Sequence, residues 1–164
     1  MRTVCLLALV LFALLQATAM PRLPLLGVRP DLVLVGVLAW TIVRGLHEGA
    51  IGAFVGGIAM DLLSPSWLGS HTLALLLVTV AVGALAIPLH RGNLAFPVAA
   101  ALLGTVGYNL LLMALTGVLA RSGGLELAAR VVLPLMLVHG ALMPATYAAC
   151  EWLDQRIRPR IRIG

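Results

Sequence analysis

Apolar residues fall in long blocks, and the breaks between them divide the chain into about six runs: 3–20, a second starting at 25 or 31 and ending at 43, then 49–63, 72–89, 94–120 and 131–150. A helix needs about 20 apolar residues to cross a bilayer. The second and third runs are short by that measure. Pro21, Arg22 and Pro24 close the first run, and Ser64-Pro65-Ser66 closes the third. Pro134 and Pro144 lie inside the last run, where proline kinks a helix. The pattern predicts an all-α integral membrane protein of about six transmembrane helices, forming one polytopic domain over 1–164 with a basic tail at 151–164.

The first run has a rival reading. Arg2, the apolar stretch and Ala17-Thr18-Ala19 resemble a signal peptide with a small-residue cleavage site. The run exceeds the usual ~7–15-residue apolar core of such peptides, so a retained helix is expected.

Composition sharpens the class. Hydrophobic residues make up 62% and charged residues 10%, against about 45–50% and about 25% in soluble domains. The net charge is +5, and every basic residue other than histidine is arginine. A basic balance can signal nucleic acid. Here the arginines sit between and after the apolar runs, as in loops flanking membrane helices, so no nucleic-acid partner is expected. With an even number of spans both termini share a side. Arg2, Arg44, Arg91, Arg156, Arg158, Arg160 and Arg162 would lie there, and Arg22, Arg29, Arg121 and Arg130 opposite. Positive residues favour the cytoplasm, which puts the N- and C-termini inside. Cys5 and Cys150 form no Cys-x-x-Cys pair and read as apolar filler.

A carboxylate at membrane depth costs on the order of 2.5–3.5 kcal/mol even on insertion scales, so Asp31 and Asp61 need an account. Pro30 suits the first turn of a helix, and Asp31 beside it complements the positive end of the helix dipole. A salt bridge from Asp31 to Arg29 or Arg44 is the alternative. Asp61 ends the third run. It is expected either to accept hydrogen bonds from the turn at 63–66 or to contact a partner, substrate or proton path.

Gly45, Gly49, Gly52 and Gly56 are spaced four, three and four and are expected on one helix face. Such a face lets another backbone approach closely, in the same protein or in a partner. Tyr108 and Asn109 are expected to bond across helices, and His139 is the most deeply placed histidine. His47-Glu48 lacks the further ligand of a His-Glu-x-x-His motif, because Ile51 stands there. No nucleophile elbow, phosphate loop or dinucleotide fingerprint is present. No enzyme, cofactor or metal is expected. Arg156, Arg158, Arg160 and Arg162 form a membrane-surface segment, each arginine worth on the order of 1 kcal/mol near anionic lipids.

Arg29-Pro30-Asp31, Arg44-Gly45, Glu48-Gly49-Ala50, Gly52, Gly56, Asp61-Leu62-Leu63-Ser64, Leu68-Gly69 and His71 together resemble the rod shape-determining MreD family over about 29–77. The resemblance implies a non-enzymatic scaffold of the bacterial inner membrane that maintains rod shape. It implies MreC as a partner. It further implies a complex with a penicillin-binding transpeptidase, a polymerising glycosyltransferase and the actin-like MreB. It also implies a fold resembling the six-helix substrate-binding subunits of energy-coupling-factor transporters. The glycine face, with Asp31 and Asp61 fixing geometry, is the expected contact region. The alternative function is a small-molecule, vitamin-like binding subunit of a membrane transporter, for which His71, Tyr108 and Asn109 are sparse polar candidates.

Overall fold

The computed structural model describes residues 30–64, 67–89, 95–118 and 124–157, and its regular elements are all helices. These are α1 (Leu32–Arg44), α2 (Leu46–Leu63), α3 (Ser70–Leu89), α4 (Ala95–Leu115) and α5 (Gly124–Ile157). Helices α2, α4 and α5 are long and apolar enough to cross a membrane, and α1 and α3 are apolar but offer shorter apolar stretches. The chain is an all-helical membrane protein. The expected first run at 3–20 lies outside the described residues.

The last run differs most from expectation. Helix α5 starts before residue 131 and continues past 150 to Ile157, so the first part of the basic segment, 151–157, is helical. Its 34 residues measure about 51 Å at 1.5 Å per residue, well beyond a hydrocarbon layer of about 30 Å. Hydropathy marks only the lipid-facing part of such a helix. Pro134 and Pro144 lie within it without ending it, as membrane helices allow.

Helix α1 is the centre of the bundle. It packs against all four other helices, and α2, α3, α4 and α5 follow one another around it. Every residue from Val33 to Ile42 is buried. Its stock of Val33, Val35, Val37, Thr41 and Ile42 is β-branched, which disfavours helix in water. In an apolar surround the backbone must satisfy its own hydrogen bonds, and the helix follows.

Apolar burial gives no hydrophobic drive when the alternative is lipid, so close packing must supply the attraction. Glycines on the surrounding helices provide it. A Cβ at Gly49 would run into Thr41, and one at Gly56 would lie 2.8 Å from the Val33 side chain. A Cβ at Gly104 would sit 2.5 Å from Leu38, and one at Gly83 2.8 Å from Leu46. Gly57 approaches the backbone of Thr72 on α3 as closely. The face carrying Gly49, Gly52 and Gly56 therefore turns inward.

Gly45 is off that face. It is the single residue joining α1 to α2, exposed, with φ +92 and ψ 171. Only glycine occupies that region readily. Its amide closes α1 by donating to the Thr41 carbonyl at 2.8 Å. One residue suffices because the two helices fold back as a tight hairpin.

Candidate functional site

Polar side chains from all five helices meet where α1 begins, α2 ends and α3 begins. Asp31 is the N-cap of α1: its Oδ1 accepts from the Leu34 amide at 2.9 Å. The capping account of the sequence thus describes its local role. The Asp31 amide in turn donates to His139 Nε2 of α5 at 2.8 Å. That bond fixes the ring, because a nitrogen that accepts carries no proton. His139 is the neutral Nδ1–H tautomer, fully buried, and donates to Thr105 Oγ1 of α4 at 2.8 Å. The Thr105 hydroxyl in turn donates to the Ala101 carbonyl at 2.6 Å.

A second branch uses Asp61. Its Oδ1 accepts from the His71 amide at 2.9 Å, and its Oδ2 accepts from the Thr72 amide at 3.1 Å and the Thr72 hydroxyl at 2.6 Å. The carboxylate of α2 thus caps α3 from outside. Free amides at a helix start need such acceptors, and the helix dipole favours an anion there. The hydrogen bonds described for this carboxylate come from the start of α3, which folds back onto the end of α2. This branch reaches α4 through Tyr108, whose hydroxyl lies 2.8 Å from His71 Nδ1.

Among the described residues Asn109 makes no bond across helices. Its amide reaches back one turn to the Thr105 carbonyl at 2.9 Å. Thr72 and Thr105 went unnoticed in the sequence, where isolated threonines in apolar runs carry no signal.

The opposite end of α1 is built from charges. Arg44 pairs with Asp154 of α5 rather than with Asp31. Its guanidinium also lies 5.4 Å from the Trp40 ring, a cation–π distance. Two residues beyond Asp154 along α5, Arg156 sits 4.4 Å over Trp152. Arg158, Arg160 and Arg162 lie outside the described residues. Among those residues no group of three or more His, Cys, Asp or Glu side chains is placed to hold a metal ion.

The family model described as rod shape-determining protein MreD matches residues 1–145. The chain belongs to the MreD family. It is accordingly a rod shape-determining membrane protein. No curated protein and no solved structure matches the chain. The residues that carried the likeness to MreD divide between the ends of α1. Asp31, Asp61 and His71 build the polar cluster, while Arg44 and Gly45 close the charged end. Asp154, the partner of Arg44, lies beyond the stretch that the MreD model matches.

Proposed function

We propose that this chain is a non-enzymatic scaffold of the bacterial inner membrane that binds MreC and helps hold the peptidoglycan transpeptidase and glycosyltransferase of the elongation complex, with MreB on the cytoplasmic side. The observation that carries the reading is the MreD family match over residues 1–145. We further propose six spans, the five described helices preceded by the run at 3–20, with both termini cytoplasmic. Two pairings support that topology: Asp31 with His139 and Arg44 with Asp154 make α1 and α5 parallel. Arg44 and Arg156 both lie at the end marked by the Arg44–Asp154 pair, and arginines rather than net charge mark the cytoplasmic side.

With the glycine face turned inward, the outward faces of the bundle are left for partners. The test is copurification with MreC from membranes, read beside rod-shape rescue in a strain depleted of its own copy. The expected result is MreC in the eluate and restored rods. Rescue without MreC would overturn the scaffold reading. A reporter at the C-terminus that is active in the periplasm would overturn the topology.

A further inference from the structure

The turn between α2 and α3 carries an apolar patch that is exposed among the described residues. Leu62 is 71%, Trp67 82% and Leu68 85% exposed, with Leu63 beside them. Gly69, at φ +97, turns the backbone directly after Leu68. From 62 to 70 the sequence Leu-Leu-Ser-Pro-Ser-Trp-Leu-Gly-Ser contains no charge. We infer that this turn is a lipid anchor: Leu62, Leu63, Trp67 and Leu68 insert at the boundary between headgroups and acyl chains of the leaflet at the polar-cluster end.

Three observations select the bilayer as the occupant. The patch continues the exposed stripes of both helices, Phe54 and Ile58 on α2 and Leu73, Leu77 and Val80 on α3, which lie opposite the glycine face. Helix α2 has 18 residues, about 27 Å, against a hydrocarbon layer of about 30 Å. With Arg44, His47 and Glu48 at its start, its far end falls at the other boundary. The remaining tryptophans, Trp40 and Trp152, sit at the arginine end, each beneath a guanidinium. Tryptophan gathers at both membrane interfaces, so Trp67 completes the second belt. The Asp61 carboxylate, two residues before the end of α2, then lies near the edge of the hydrocarbon and holds the turn closed by bonding the start of α3.

The test uses the full chain in nanodiscs of phosphatidylcholine and phosphatidylglycerol. Trp40→Phe and Trp152→Phe leave Trp67 as the only tryptophan. Phosphatidylcholine brominated near the glycerol end of the chains should remove most of its emission. Bromines near the methyl end should remove less, and aqueous acrylamide little. Strong acrylamide quenching without bromine quenching would place the turn in water and overturn the inference. Protection from both would mean that a protein or a second copy covers it, also overturning it. Should Trp40→Phe fail to fold, the difference between the parent chain and Trp67→Phe isolates the same component.

Discussion

The two ends of α1 solve one problem by different chemistry. At Asp31 the helix start is held by directed hydrogen bonds that run through His139 and Thr105. At Arg44 the helix end is held by an ion pair, an aromatic ring and a one-residue turn. His139 is wholly buried, whereas the Arg44 and Asp154 side chains keep 19% and 15% of their surface. A site shut off from solvent cannot carry an unpaired charge cheaply, so it is built from neutral donors and capped carboxylates. A site that reaches water can use full charges, because a broken pair is rehydrated.

The comparison breaks first at His139. Replacing it with Leu orphans the Asp31 amide and leaves the Thr105 hydroxyl with only its bond to the Ala101 carbonyl. Each buried group left without a partner costs about 1–3 kcal/mol. The expected outcome is the largest loss of thermal stability in detergent of any single change in the cluster. A melting curve like that of the parent would show that these hydrogen bonds do not hold the start of α1.

Asp61 comes next. Asp61→Leu removes the acceptor for three donors at the start of α3 and should cost about 2 kcal/mol, at the upper end of cap losses. Asp61→Asn retains one oxygen and should cost about half as much. Chemical denaturation of both variants gives the ratio, and equal losses would mean that the charge rather than the hydrogen bonds matters.

Gly45→Ala sharpens the other end. Space around Gly45 is open, so only its backbone conformation is at stake. A Cβ there should cost about 1–2 kcal/mol. A drop in melting temperature without loss of monodispersity is expected. No drop would show that the turn relaxes into another conformation.

The smallest effect is expected from the ion pair. In a double-mutant cycle of Arg44→Gln and Asp154→Asn the coupling should lie at or below about 1 kcal/mol and shrink in salt. A coupling that is larger and indifferent to salt would place this end in the same dry environment as the first.

Much of this was legible along the chain. The N-cap at Asp31 is a local device, readable from Pro30 and the apolar run that follows. Glycines at 49, 52 and 56 announced a close-packing face because helical spacing alone puts them together. Gly45 belonged to that spacing too, yet it sits in the link, because the helix ends one residue before it. Asp61 was recognisable as a polar group requiring an explanation, but its partners were assigned to the nearest turn. They lie on the next helix, and only the fold-back of α3 brings them within reach.

What the sequence determined by itself follows from interactions between near neighbours: uniformly apolar runs that must be helical in lipid, a capped start for α1, and arginines kept out of the apolar runs. It did not determine that the shortest of these helices is the central one. Length argued against α1 as a span, yet it is the helix buried on every face, because only the packing of four others around it reveals where each face points. Nor could it join Asp31 to His139, which are 108 residues apart, or Arg44 to Asp154. A hydrogen bond reaches about 3 Å, and which groups come that close is decided by the path of the whole chain.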